Sequence, residues 1–427
     1  MKKHLLSSLL LAVALSSSML FTACSNTDNI VPDIPGNHEV EKPKARITET
    51  IRKDEAKATV YNIEYPSVDP YGNVCMLSGS VIVGDEVEND GKQARGMLLY
   101  NHFTVFQKEQ CPTLGDLGVA LKVVGSKLIC VAPDYYGFGS TGDKNQAYCM
   151  SRTNAQNSVD CLLAARELLK EKGYTWGDFL FNLGYSEGGQ TSMGVIRLCA
   201  EKYPDIKITH SICGAGPYDI GETYHQLVKA GTTSMPSTVI SAVLAFNEYY
   251  RLGLKNADMF KEPTLSNIPV YLLSKNYKRG YFEGKLASET ISEWFQPAML
   301  DFNSEPSKKI MEAQEKDNLS KGWKPRGNER ISLIHNKLDA CVPYSNTTKM
   351  AEFFKANGFT IDEGTTDNRY VDGKVFVYSI NIPALSKKVG AHEVAALAFV
   401  TELITVITHY LEIAPWFTLT AEELQGV

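Results

Sequence analysis

The amino-acid sequence predicts a mostly parallel, doubly wound α/β sheet with an antiparallel N-terminal hairpin and an inserted, mainly helical segment. Three observations lead there. Short, nearly continuous apolar runs recur along the chain, helical stretches separate several of them, and one interval between runs is far longer than a crossover needs. Runs that are apolar on both faces suit parallel strands covered by helices on each side, and a strand–helix–strand rhythm is what winds such a sheet.

Taken in order, the chain begins with Lys2 and Lys3 ahead of an apolar run from Leu5 to about Leu20. A basic start followed by a short apolar stretch has the form of a secretory signal, and the run is too short and too interrupted by Ser16, Ser17 and Ser18 for a membrane span. Its end, Phe21-Thr22-Ala23-Cys24, resembles the lipobox of bacterial lipoproteins. That resemblance implies a signal peptide over residues 1–23 and acylation of Cys24. It also implies an exported protein tied by lipid to a bacterial membrane, with the outer membrane the expected one. Residues 24–48, with Asn, Asp, Gly and proline but no periodicity, read as a flexible tether.

From Ala58 the pattern alternates. Thr59–Tyr65 and Val74–Val83, separated by the turn Asp69-Pro70-Tyr71-Gly72, read as an antiparallel hairpin. Met97–Tyr100, Leu128–Ala132, Phe179–Leu183, Ile206–Cys213, Ile331–Ile334 and Val375–Ile380 read as buried parallel strands. Helices are expected over Ser158–Lys172 and Gln190–Lys202.

About 115 residues separate the run ending near Cys213 from the one at Ile331, whereas a βαβ crossover takes roughly 30. The excess is assigned to an inserted cap over residues 219–326, leaving 49–218 and 327–427 as the core. The aromatics of the insert, among them Phe246, Tyr249, Tyr250, Tyr277, Tyr281, Phe282, Trp294 and Phe295, are expected to form its own core, with a minority free to line a channel.

A net charge of −6 without a Lys/Arg run excludes an extended nucleic-acid face. Apart from Cys24 there are eight cysteines, enough to pair in an exported protein. Cys130, Cys161, Cys199 and Cys213 sit in apolar runs, where a thiol behaves as a small buried hydrophobe. Neither a zinc pattern nor any other cofactor or metal signature is present in the sequence.

Gly184-Tyr185-Ser186-Glu187-Gly188 matches Gly-x-Ser-x-Gly, which a chain of this length produces by chance roughly once in five or six. Its surroundings give it weight. An apolar strand, Phe179–Leu183, precedes it and a helical run from Gln190 follows, the arrangement that exposes a strained serine at a helix N-terminus. Glycines flanking Ser186 remove the Cβ atoms that would clash in so sharp a turn.

A serine nucleophile of this type needs an acid and then a base further along the chain. His392, in Val389-Gly390-Ala391-His392-Glu393, follows the last strand and precedes a helix, while His210, His225, His335 and His409 fit worse. Asp339 follows the strand Ile331–Ile334, and Asp362, Asp367 and Asp372 compete from a turn-like stretch. The segment His335-Asn336-Lys337-Leu338-Asp339-Ala340-Cys341-Val342-Pro343 resembles the His-Gly-x-x-Asp-x-x-Val-Pro stretch of α/β hydrolases, with Asn336 in place of glycine as a residue that tolerates φ > 0. Pro133-Asp134-Tyr135-Tyr136-Gly137-Phe138-Gly139-Ser140 resembles a loop of the esterases and secretory lipases of that superfamily, where its role is structural.

The resemblance implies a Ser186/Asp339/His392 triad. It also implies an oxyanion hole made by the backbone N–H groups of Glu187 and Thr104, the latter in Tyr100-Asn101-His102-Phe103-Thr104. Phe103 stands where glycine is usual, so its N–H is an alternative donor, and His102 is then a structural loop residue. The activity implied is hydrolysis of carboxylic esters, of a lipid or a glycan, through an acyl-enzyme and without a cofactor. A prolyl-type peptidase, a polysaccharide or feruloyl esterase, and a non-catalytic surface-binding protein are the competing expectations.

Overall fold

The computed structural model of the chain describes residues 44–115, 117–364 and 368–413. The expected signal peptide, Cys24, most of the tether and the competing Asp367 lie outside the described residues. The sheet has ten strands in the order β1-β2-β3-β5-β4-β6-β7-β8-β10-β9. They are β1 (Arg46–Lys53), β2 (Ala58–Val68), β3 (Val74–Gly84), β4 (Gln93–Asn101), β5 (Leu128–Pro133), β6 (Thr175–Tyr185), β7 (His210–Gly214), β8 (Arg330–Asn336), β9 (Thr360–Asp362) and β10 (Lys374–Ile380). β1, β2 and β3 pair antiparallel, as do β3 and β5, and every pair from β5–β4 onward is parallel. The sheet is the mostly parallel, doubly wound arrangement with an antiparallel start that the apolar and alternating runs implied, and it agrees with the α/β-hydrolase fold expected from the resemblance.

Of the boundaries that differ from the sequence expectation, three have a clear physical reason. The tether cannot extend to residue 48, because β1 starts at Arg46 and pairs with β2 from Arg46↔Glu64. Its sequence RITETIRK is mostly polar, with only Ile47 and Ile51 apolar, as an edge strand facing water can be, and this concealed it. β7 starts at His210 instead of Ile206, because the Thr209 side-chain Oγ1 accepts from the Leu180 N–H at 2.9 Å, where a backbone carbonyl would continue a ladder. Helix α1 spans Ser151–Glu171 and so begins seven residues before Ser158. Its polar first turns are buried and held by distant partners: Asp317 accepts from the N–H groups of Ser151 (2.5 Å) and Arg152 (3.2 Å), and Asn157 donates to Ser67 Oγ and Val68 O. A carboxylate from another element thus caps α1, which no local pattern announces.

Helix α2 (Glu187–Lys202) follows β6 directly and packs against α1, β6 and β7. Between β7 and β8 the described chain is helical, comprising α3 (Ile220–Ala230), α4 (Pro236–Tyr249), a series of short turns and α5 (Glu305–Glu315). The stretch Ile268–Leu273 is one of these turns, a π-helix. Phe282, Trp294 and Phe295 join Phe260, Ile240 and Tyr224 in an apolar cluster within this segment. Phe246 and Tyr249 belong instead to the main core beneath the sheet, and Tyr281 is exposed. Lys275 reaches from the segment into the loop after β5. Its ammonium donates to the carbonyls of Gly137 (2.5 Å) and Lys144 and lies 5.2 Å from the Phe138 ring centre. Burial pushes this ammonium down to about 8, so the carbonyl cage holds a partly desolvated charge.

Two further helices complete the core, α6 (Ser345–Ala356) and α7 (Ala391–Leu411). α7 is apolar and long enough to cross a membrane by composition, but it packs on β7 and β8. The eight cysteines among the described residues are all free thiols, and seven of them are buried.

The first residue of α2 adds a pH-dependent element to this core. Glu187 is 1% exposed. Burial pushes its carboxyl from 4.5 up to about 8, against hydrogen bonds from the Cys149 N–H, Asn154 and Gln146 at 3.3 to 3.4 Å. Between those two values the unfolded chain has lost the proton while the folded chain keeps it. Stability therefore falls as pH rises through this window, by about 1.4 kcal/mol per unit from this group. Glu187→Gln is expected to remove that slope. Urea denaturation of both proteins from about pH 5 to about pH 8 should show their stability difference shifting by about 3 kcal/mol in favour of the variant as pH rises.

Candidate active site

The centre of the site is the junction of β6 and α2. Ser186 has φ 56° and ψ −121°, a conformation that L side chains rarely adopt. Its N–H donates to Gly214 O at 2.8 Å and its carbonyl accepts from the Gln190 N–H at 3.1 Å, so the strained residue is fixed from both sides. The flanking glycines are required by close approach. A Cβ on Gly184 would lie 2.1 Å from Gly188 O, and one on Gly188 would lie 2.1 Å from Asn101 O. The turn presses against the end of β4 with no room for a methyl group.

Asp339 lies in the turn after β8, and His392 is at the first turn of α7. His392 Nδ1 and Asp339 Oδ2 are 2.6 Å apart. The other carboxylate oxygen, Oδ1, accepts from the N–H groups of Cys341 (2.8 Å) and Val342 (2.9 Å). Burial opposes the charge on Asp339, yet His392 and His335 hold its carboxyl well below the usual carboxylate range. For His392, burial pushes the imidazolium down, but Asp339 outweighs it and His392 titrates above 6.5. Tyr185, beside Ser186, donates its hydroxyl to His392 O, and its ring centre lies 5.0 Å from the imidazole. With Nδ1 engaged by the carboxylate, Nε2 is the nitrogen left to serve a substrate-side group.

No hydrogen bond joins Ser186 Oγ to His392 among the described residues. The two side chains border different hollows, Ser186 a mostly apolar one and His392 a somewhat more open one with Arg279, Pro383 and Gly390. In hydrolases that use a serine and a histidine, the contact between nucleophile and base is commonly loose without substrate and tightens in the complex.

The other histidines are occupied elsewhere. His210 Nε2 contacts Ser332 Oγ at 2.9 Å, and burial drives it down to about 3. His225 packs on Phe302, and His409 stacks on Tyr370. His335, absent from the expected site, is buried beside the acid: its Nε2 lies 3.0 Å from Val342 O and 3.3 Å from Asp339 Oδ2. Its position four residues before Asp339 was the available signal. Asp372 pairs with Arg330, and Asp362 lies in the edge strand β9.

The reason given for Asn336 needs correction. It does not occupy the positive-φ region; it ends β8, and its side chain accepts from the Leu338 N–H and donates to Ser386 Oγ. Asparagine thus shapes the turn through its amide, where glycine would act through its backbone freedom.

Across the turn, Thr104 Oγ1 and Tyr148 OH are 2.9 Å apart. Among the described residues the backbone N–H groups of Phe103, Thr104 and Glu187 are not committed to turn or loop hydrogen bonds. His102 stacks on Tyr135 at 4.1 Å and contacts Asp134 O through Nε2, while Asp134 accepts from Ser78 Oγ and from Thr113. These residues hold loops together. The pocket beside Ser186 is narrow, with about 30 Å³ open to the centre of a water-sized molecule, and is walled chiefly by α3, α4, Tyr148, Cys149 and Val342.

The secretory lipase family matches residues 120–373. Three solved structures share the fold. A Legionella pneumophila protein is 21% identical, covering 86% of this chain and 98% of that one, with a TM-score of 0.69. The rice cell wall degrading esterase LipA of Xanthomonas oryzae is 17% identical over 87% and 97% of the two chains, with a TM-score of 0.67. Candida antarctica lipase A in its closed state is 12% identical over 90% and 88%, with a TM-score of 0.62. No curated protein sequence matches significantly. Because the family match spans more than half of the sequence, the chain belongs to the secretory lipase family and is a hydrolase of carboxylic esters.

Proposed function

We propose that the protein is a serine esterase that works through an acyl-enzyme on Ser186, with His392 as base and Asp339 as its orienting acid. The observation that carries this reading is a strained serine at the N-terminus of α2, at the same C-terminal end of the parallel strands as a buried His–Asp pair 2.6 Å apart. His392 Nε2 takes the proton from Ser186 Oγ as the Oγ–carbon bond to the ester carbonyl forms. The backbone N–H groups of Glu187 and Thr104 receive the oxyanion, aided by the positive end of the α2 dipole. Collapse breaks the bond to the alcohol, which leaves with the proton from His392. Water, activated by the same imidazole, then releases the acid.

The secretory family and the N-terminal sequence favour an exported protein, and we assign its attachment to a membrane through acylated Cys24. The helical segment over residues 219–326 acts as the cap over the site. Peptide hydrolysis by the same three residues is the second reading, since the chemistry differs only in the leaving group.

Ser186→Ala is expected to lower hydrolysis of p-nitrophenyl butyrate by at least about a thousandfold and to abolish labelling by a fluorophosphonate, with the thermal unfolding profile unchanged. Retained ester hydrolysis would remove Ser186 from the mechanism. A panel of esters and aminoacyl amides separates the esterase from the peptidase.

The pH profile tests the other two residues. A protonated imidazole cannot accept the serine proton, so kcat/KM should rise with pH through a midpoint above 6.5. Removing the charge of Asp339 removes what holds the imidazolium. Asp339→Asn should move the midpoint downward on the residual activity and lower the rate by about 10⁴-fold. An unmoved midpoint would break the His392–Asp339 assignment.

A further inference from the structure

The pocket beside Ser186 contains one polar group that the fold leaves unused. Its walls are mostly apolar, with Ile220, Leu227, Val239, Ala242 and Val342 among them. Apart from the nucleophile Ser186 itself, the hydroxyls on this lining are spent within the protein. Thr223 Oγ1 donates to Asp219 O, Thr238 Oγ1 to Met235 O and Tyr224 OH to Met299 O, while Tyr148 OH meets Thr104 Oγ1. Gln314 of α5, also on the lining, is 1% exposed, and its Oε1 is buried without a hydrogen-bond partner among the described residues. A buried carbonyl left unsatisfied costs about 1–3 kcal/mol, a cost that a bound ligand can relieve.

We infer that Gln314 is a specificity-determining residue, accepting a hydrogen bond from a hydroxyl on the acyl group bound beside Ser186. The substrate class is therefore an ester of a compact hydroxylated acid. This rests on Ser186 being the nucleophile, since only then does the acyl group enter this pocket.

Size and charge support the choice. Only about 30 Å³ of the hollow admits the centre of a water-sized molecule, well below the about 300–1,000 Å³ of ligand pockets, so only a compact acyl group is matched. A cationic ligand finds no carboxylate among the lining residues, so a neutral hydroxyl is the donor that matches the surroundings. Tyr148 and Tyr224 add aromatic surface suited to a ring-bearing acid. The selectivity is the kind that polar recognition produces. A site built to bond a hydroxyl discriminates strongly against the analogue that lacks it, whereas an apolar wall barely distinguishes one methyl group.

The test compares p-nitrophenyl esters of para-hydroxyphenyl and para-methylphenyl acetic, propanoic and butanoic acids, which vary reach at matched shape. Wild-type protein is expected to prefer the hydroxyl member of at least one pair by about tenfold or more in kcat/KM. In Gln314→Leu that ratio should collapse to within about twofold of unity, and Gln314→Met offers the same loss of the amide on an unbranched chain if the leucine variant does not fold. Absence of a hydroxyl preference at every length in the wild type, or its persistence in both variants, would overturn the inference. Protein that still labels at Ser186 with fluorophosphonate but lacks the preference overturns the Gln314 assignment alone. Ester hydrolysis that survives Ser186→Ala overturns the nucleophile and this inference together.

Discussion

The close approach of the β6–α2 turn to the end of β4 constrains everything else in the site. Gly184 and Gly188 stand so near each other and Asn101 that a single methyl group would overlap backbone atoms. Without side chains at those two positions the chain can reverse in one residue, and that residue, Ser186, is left at φ 56°. The strain is held by bonds outside the turn: the Ser186 N–H on Gly214 ties it to the end of β7, and α2 packs against α1 and β7. A conformation that is costly for one residue thus persists because the sheet and two helices fix the residues around it.

The second constraint is electrostatic. Asp339 is buried, yet it stays charged because two N–H groups, His392 and His335 converge on it. Its charge in turn keeps His392 basic against the burial that would make it a poorer base. Next to this pair, Glu187 meets burial with only long hydrogen bonds, and its carboxyl is pushed up. Two buried acids on either side of the site therefore have opposite protonation preferences. The difference follows from what faces them: imidazole nitrogens and two short N–H contacts in one case, only neutral donors at 3.3 to 3.4 Å in the other.

The helical segment between β7 and β8 supplies the pocket. Part of it forms its own apolar cluster around Trp294 and Phe295, while Phe246 and Tyr249 are shared with the main core. It is also joined to the loop after β5 by the caged ammonium of Lys275. α3, α4 and α5 thereby bring Tyr224, Val239 and Gln314 to the pocket shared with Ser186. Hydrolase-fold proteins differ in function through such grafted surfaces more than through their sheets.

By itself, the sequence determined what depends on local periodicity and chain order. The apolar runs placed six parallel strands, the alternating runs before them placed the antiparallel start, and glycine spacing marked the turn at Ser186; the resemblance of the segment around Asp339 to α/β hydrolases, with His392 after the last strand, pointed to the pair that lies 2.6 Å apart. Tertiary structure alone decided what depends on distant partners. The early start of α1 rests on Asp317, the late start of β7 on a Thr209 hydroxyl, and β1 on pairing with β2 through a polar, edge-strand sequence. The buried amide of Gln314 was invisible for the same reason. A glutamine on an amphipathic helix reads as solvent-facing until the walls that enclose it are known, because burial is a property of what surrounds a residue and not of the residue.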